Sequence, residues 1–343
     1  MQPIDETQLF RKISVRILPV LMLAFFFSYV NRVNIGFAKL QMATDLHFSD
    51  AVYGLGAGIF FVGYFVLEVP SNIILHRVGA RRWISRIMLS WGLISCATIF
   101  VRTPMQFYAM RLLLGLAEAG FIPGAIYYMS QWYPGARRSR AWGVFYIALA
   151  SSGMVGSLVS GAILRFMSGV GGLRGWQWLI LCEGIPTLLL GVYIFFRMHD
   201  DIAGVTWLSD AEKRHLKAAL ASENRDKIGT GIGSLLFSGR IWTLIAIYFA
   251  FTMGLYAISF WMPTLVQRMG VSSMLMIGLL SAIPSACAIV CMVVMGYSAG
   301  RHNDRRWHLC AAYVMAAVGF ALCVLWQREP WLGVFALCIA NMG

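Results

Sequence analysis

Ten apolar runs recur along these 343 residues, most of them close to the ~20 residues that a helix needs to cross a bilayer. They fall at roughly 17–38, 51–75, 83–101, 105–132, 141–164, 176–197, 241–266, 273–298, 307–326 and 331–343, the last being too short to cross. Nothing else in the chain constrains its fold as tightly. A run without charges must be covered by lipid or by other helices, and in hydrocarbon only helices and closed barrels satisfy their own backbone. Composition agrees, with 13% charged residues and a mean hydropathy of +0.70, where a soluble domain carries about a quarter charged. An all-α membrane protein is expected. The first run has no small-residue cleavage site and leads into further spans, so it reads as a retained helix and not as a signal peptide.

The polar segments between the runs set the organisation. Residues 1–16 form a polar N-terminus, six spans fill 17–197, a hydrophilic connector occupies 198–240, and four further runs fill 241–343. The connector is expected to hold a short helix opening at Ser209 and Asp210 and running through Glu212, Lys213, Arg214 and Lys217. Of the 28 Lys and Arg residues, twenty fall on the side of the N-terminus and six on the other, Lys39 among the six, while Arg32 and Arg111 lie inside spans. That bias puts the N-terminus in the cytoplasm of a bacterial-type inner membrane. The net charge of +13 is therefore a topology signal, and nucleic-acid binding is not expected.

A weak repeat divides the spans in two. Arg77-Val-Gly79-Ala-Arg81-Arg82-Trp83 follows the second span, and Arg301-His-Asn-Asp304-Arg305-Arg306-Trp307 follows the eighth. Parallel six-helix halves with a substrate site between them are expected. A second half matching the first needs on the order of 80 residues more than follow Ile241. The chain is thus expected to lack its C-terminal end, with nine to ten of twelve helices present.

Charges inside the spans carry the chemistry. The charge-free run before Arg32 is too short to cross, so the first span must include it. A cation at that depth costs at least about 2.5–3.5 kcal/mol and normally lines a pathway or has a partner. The alternative is an arginine snorkelling to the interface. Arg111 and Glu118, two helical turns apart on one span, share a face, with Gly115 between them. Glu118 is the candidate proton carrier, because a carboxyl in a low-dielectric site has a raised pKa. Structural pairing with an arginine on a neighbouring helix is its alternative. Arg111 is a candidate for attracting anions. Glu68 and Glu183 read as structural, the first pairing with the basic connector and the second packing beside Gly184 and Pro186.

Tyr29 shares a face with Arg32 and can donate to a carboxylate; Asn31 and Asn34 flank Arg32, and Tyr64 lies mid-span as a candidate partner across a cavity. Packing is the competing role for each tyrosine. Gly54-x-x-x-Gly58 and Gly120-x-x-x-Gly124, with Gly153, Gly156 and Gly161, point to close helix packing. The seven cysteines read as small buried hydrophobes. There is no Walker sequence, catalytic triad or metal-ligand spacing, so an enzyme is not expected. Neither is a cofactor; a proton gradient is the expected energy source.

Tyr29-Val-Asn31-Arg32-Val-Asn34-Ile-Gly36, Val69-Pro70-Ser71-Asn72, Val78-Gly79-Ala-Arg81-Arg82-Trp83, Arg111-x6-Glu118-Ala-Gly120-Phe-x-Pro123-Gly124, Gly175-Trp-Gln-Trp-Leu and Glu183-Gly184-x-Pro186 resemble the anion:cation symporter family of the major facilitator superfamily. So do Gly254-Leu-Tyr256 and Phe260-Trp261-x-Pro263, and the match runs over nearly the whole chain. The resemblance implies a major facilitator fold and proton-coupled import of sugar acids, dicarboxylates or aromatic acids. It supports Arg32 as the carboxylate contact and Glu118 as a protonation site coupled to Arg111; Tyr29, Tyr64 and Asn31 stay the candidate substrate-binding residues read from their positions near Arg32. It also makes Arg77, Gly79, Arg81 and Arg82 the candidate conformational gate. The family often has Asp immediately before the first-helix arginine; Asn31 stands there instead, carries no proton, and leaves Arg32 uncompensated. A monomer that takes up a small organic anion with protons is the leading expectation. An exporter of drugs or metabolites is the alternative, and a membrane sensor is disfavoured because 198–240 is too short for an output domain.

Overall fold

The computed structural model describes residues 4–224, 238–302, 306–326 and 329–343. Residues 225–237 of the connector, Asp304 and Arg305 of the repeat, and Arg328 lie outside the described residues. Among the described residues thirteen α-helices follow in order: α1 (Glu6–Val33), α2 (Ile35–Asp45), α3 (Asp50–Val78), α4 (Ala80–Ala97), α5 (Pro104–Glu118), α6 (Phe121–Ser130), α7 (Gly135–Phe166), α8 (Gly175–Arg197), α9 (Asp210–Asn224), α10 (Gly239–Arg268), α11 (Met274–His302), α12 (Arg306–Leu325) and α13 (Pro330–Met342). Among the described residues there is no strand. Nine helical segments among the described residues are long and apolar enough to cross a membrane, and Pro330–Met342 is a shorter apolar helix. Two spans join consecutive helices, Glu6–Asp45 taking in α1 and α2 and Pro104–Ser130 taking in α5 and α6.

Local chemistry explains where the helices begin. α5 opens with Pro104 in its first turn and a reciprocal capping box between Thr103 and Gln106. At α9 the Glu212 N–H donates to Ser209 Oγ at 3.3 Å and the Ser209 N–H donates to Glu212 Oε2 at 2.8 Å, so the connector helix starts where its caps predict. Burial alone pushes the Glu212 carboxyl up, but Lys12 Nζ at 2.7 Å and the two Ser209 groups hold it below the usual carboxylate range. Many large apolar side chains on the spans stand outward, Phe65 being 80% exposed. In a chain of this hydropathy such faces are lipid-facing.

Contacts group the chain into two compact units. The first comprises Met1–Ser28, Ser49–Ala148 and Ile180–Ile228, the second Tyr29–Phe48, Leu149–Leu179 and Gly229–Gly343. In the first, α3 and α5 approach to backbone contact, and α9 is docked by buried Leu216 and by Glu6, which meets Arg137 at 2.7 Å and His215 at 3.2 Å. In the second, α7 and α11 touch through Gly161 and Gly278, where a Cβ on Gly161 would lie 2.8 Å from the Gly278 Cα.

Three sequence expectations are corrected. Lys39 is not a connector cation: it is 5% exposed inside α2, with its Nζ 4.0 Å from the Trp261 ring centroid and 3.5 Å from Thr264 Oγ1. The aromatic face and the hydroxyl take the place of water around the ammonium. Gly58 makes no close helix contact, since a Cβ there would meet nothing within 4 Å. Of the cysteines only Cys338 is buried, and Cys310 is exposed on α12.

Candidate functional site

In the second unit, Tyr29, Asn31 and Arg32 occupy the last turns of α1, and α10 supplies partners for Tyr29 and Arg32. Arg32 Nη1 donates to the Tyr256 hydroxyl at 2.5 Å, and the guanidinium carbon lies 5.8 Å from that ring's centroid. The Tyr29 ring stacks on Tyr256 at 6.5 Å, and the Tyr29 and Ser259 hydroxyls share a hydrogen bond of 3.0 Å. Asn31 is buried on the same turn. The Tyr256 hydroxyl accepts from Arg32, so a planar cation and a phenol stand side by side, two groups of the kind that recognise an anion.

Tyr29 and Ser259 border a cavity of about 450 Å³ within this unit. Its wall is largely apolar, built from residues such as Phe251, Leu255, Met292 and Met295, with Ser285 and His308 as scattered polar groups. A concave apolar pocket with a few converging polar groups is the usual form of a small-molecule site.

The first unit holds the buried acid and the second arginine. Glu118 is 0% exposed, and its Oε1 accepts from Ser28 Oγ at 2.6 Å. Arg111 is also buried; its Nε donates to the Gly56 carbonyl at 3.2 Å, and its guanidinium carbon lies 4.9 Å from the Phe60 ring centroid. Both sit on α5, which lies so close to α3 that a Cβ on Gly115 would stand 2.0 Å from the Phe60 carbonyl oxygen. Tyr64 packs in this cluster, its ring 6.1 Å from Phe60. Tyr29 and Arg32 are thus gathered around Tyr256, Arg111 and Tyr64 around Phe60, and Glu118 is paired with Ser28.

The connector motif folds around a break in α5–α6. Gly79 joins α3 to α4 at φ +93°, a left-handed conformation that suits glycine, and a Cβ there would stand 2.7 Å from Asp200 Oδ2. The Arg81 N–H donates to Asp200 Oδ1 at 2.7 Å, placing a carboxylate at the α4 N-terminus, where the helix dipole favours it. Arg77 and Arg82 are exposed. Trp83 Nε1 donates to Ser71 Oγ at 2.9 Å, and Ser71 Oγ donates to the Ala119 carbonyl at 2.7 Å, next to Glu118. A hydroxyl therefore ties the motif's indole to the residue that follows the buried acid.

The break itself falls at Gly120, with φ +88°, where a Cβ would meet Ser71 Oγ at 2.2 Å. Gly120→Ala is expected to cost about 1–2 kcal/mol from backbone handedness alone, before the clash with Ser71. Thermal unfolding of the purified protein in detergent measures this, and an unchanged midpoint would refute it. Sequence reasoning missed Ser28, Ser71, Asp200, Tyr256 and Ser259 as site residues. Tyr256 and Ser71 stood inside motifs without a charge to mark them, and Asp200 stood beside Asp201 at the close of a span.

The Major Facilitator Superfamily profile matches residues 21–343. A Pseudomonas putida protein named as the metabolite transport protein NicT is 44% identical over 97% of this chain and 77% of its own length. An Agrobacterium vitis protein named as a tartrate transporter is 42% identical over 98% of this chain and 78% of its own. A quinolone resistance transporter of Acinetobacter baumannii is 37% identical over 97% and 77%. Among solved structures, a bacterial homologue of the human lysosomal transporter Spinster aligns with a TM-score of 0.73 at 16% identity, over 95% of this chain and 70% of that one. The xylose transporter XylE of Escherichia coli aligns with a TM-score of 0.73 at 13% identity, over 96% and 81%. The chain belongs to the Major Facilitator Superfamily and is an integral membrane transporter of that fold.

Proposed function

We propose that the protein is a secondary symporter that imports a carboxylate-bearing organic anion together with protons. The observation that carries this reading is Arg32, bonded to Tyr256 and stacked through it on Tyr29, which borders the 450 Å³ cavity. A guanidinium fork and phenolic donors match a carboxylate and have no equal use for a neutral solute. Buried Glu118 is the proton carrier, with Arg111 as the cation on the same helix. In this reading the substrate passes between halves 17–197 and 241–343, joined by 198–240, and Arg77, Gly79, Arg81 and Arg82 form the gate, with Asp200 accepting from the Arg81 N–H beside Gly79. The excess of Lys and Arg on one side supports a cytoplasmic N-terminus in the inner membrane. The relatives named for tartrate and metabolite transport support an organic-acid substrate.

Proteoliposomes test the reading directly. Uptake of a carboxylic acid is expected to rise with external acidification and to alkalinise the medium, while its neutral amide is not carried. Equal uptake of acid and amide, or no response to pH, would overturn it. The quinolone-resistance relative supports a second reading, export of a drug or metabolite, which predicts the opposite direction of net flux under the same gradient.

A further inference from the structure

A second cavity, of about 680 Å³, lies wholly within the first unit and shares no residue with the groups argued above for transport. Its walls come from α1, the end of α6, the end of α8 and the segment that follows it up to Trp207. Arg16, Arg197 and His199 line it, and no carboxylate does among the described residues. Trp132 and Trp207 stack at 5.7 Å, and the Arg16 guanidinium carbon stands 4.8 Å from the Trp207 centroid, which fixes one cation against an indole wall.

Two of the lining side chains point to the surroundings of the cavity. Val15 is 66% exposed and Phe196 is 71% exposed. On helices that cross a bilayer, apolar groups left so bare lie against acyl chains. Arginine and tryptophan at a span end belong at the depth of lipid headgroups. The cavity therefore joins a lipid-facing apolar edge to a cationic, indole-walled interior. A free anion would use only the interior, whereas an anionic lipid uses both.

We propose that this cavity binds the headgroup of an anionic phospholipid, its phosphate held by Arg16 and Arg197 and its acyl chains lying along Val15 and Phe196. The site is separate from the transport chemistry and stands or falls independently of it. Asp200, next to His199 in sequence, accepts from the Arg81 backbone N–H and does not line the cavity.

Native mass spectrometry of the full chain in a neutral detergent, offered equal phosphatidylglycerol and phosphatidylcholine, tests this. Phosphatidylglycerol is expected to be retained preferentially. R16Q/R197Q is expected to retain it about twenty-five-fold less, at about fivefold for each arginine, and R16K/R197K to retain most of it. If the double variant does not survive purification, R16Q alone must still show about a fivefold loss. Inorganic phosphate distinguishes the sources: in large excess it is expected neither to displace the lipid nor to raise the unfolding temperature. Equal retention of phosphatidylcholine, wild-type retention by R16Q/R197Q, or displacement by phosphate alone would overturn the proposal.

Discussion

Arg32→Ala is expected to abolish carboxylate uptake while the protein still inserts, purifies and elutes as the wild type does. The guanidinium is the charged member of a cluster whose other members are phenols and a hydroxyl, Tyr256, Tyr29 and Ser259. A carboxylate leaving water for this site gives up strong hydration and needs a cation with two aligned donors in return. Losing two charge-assisted hydrogen bonds costs about 3 kcal/mol or more, which is at least about a hundredfold in uptake at low substrate. Arg32→Lys keeps the charge but not the fork, and is expected to recover only part of the rate. Tyr256→Phe removes the acceptor of Arg32 Nη1 and the phenol that would meet the anion, and is expected to raise KM several-fold with the transport direction unchanged. Uptake by Arg32→Ala at the wild-type rate would sink the carboxylate reading and leave the fold untouched.

The fold was legible because lipid is a demanding solvent. A span must be apolar for about 20 residues, and that demand is written locally, so runs such as 51–75 and 176–197 announce α3 and α8. Where the structure departs from the sequence reading, a distant partner is responsible. Lys39 reads as a connector cation because it directly follows the first apolar run, 17–38; Thr264, 225 residues away, and Trp261 hold it inside α2 instead. The spacing Gly120-x-x-x-Gly124 reads as a packing face, yet Gly120 is a left-handed break, and only the position of Ser71 on α3 shows why. Charged site residues could be picked out because charge in a span is costly. A hydroxyl partner could not: Ser28 costs little in a membrane helix, so hydropathy does not distinguish a serine that binds Glu118 from one that, like Ser259, donates to its own helix.

Glu118→Gln is the second large effect expected, and it separates coupling from binding. Glutamine keeps the size of the side chain and a carbonyl oxygen able to accept from Ser28 Oγ, so the packing around α5 should persist. What it removes is the only feature that matters to coupling in this proposal, a group that can bind and release a proton. Asn31 stands where the family it resembles often carries Asp, so this proposal rests coupling on Glu118 alone, and one proton per anion is the outcome it expects. One coupled proton is worth about 1.4 kcal/mol for each pH unit across the membrane, or about tenfold in accumulation. For a monovalent anion the cycle is then electroneutral, so the accumulation ratio should follow the pH difference at one decade per unit and ignore the membrane potential. In Glu118→Gln that slope should fall to zero, while counterflow of labelled against unlabelled substrate continues, because exchange needs no net proton movement. A wild-type slope of two decades per unit would require a second proton carrier; an undiminished slope in the variant would remove Glu118 from the coupling mechanism altogether.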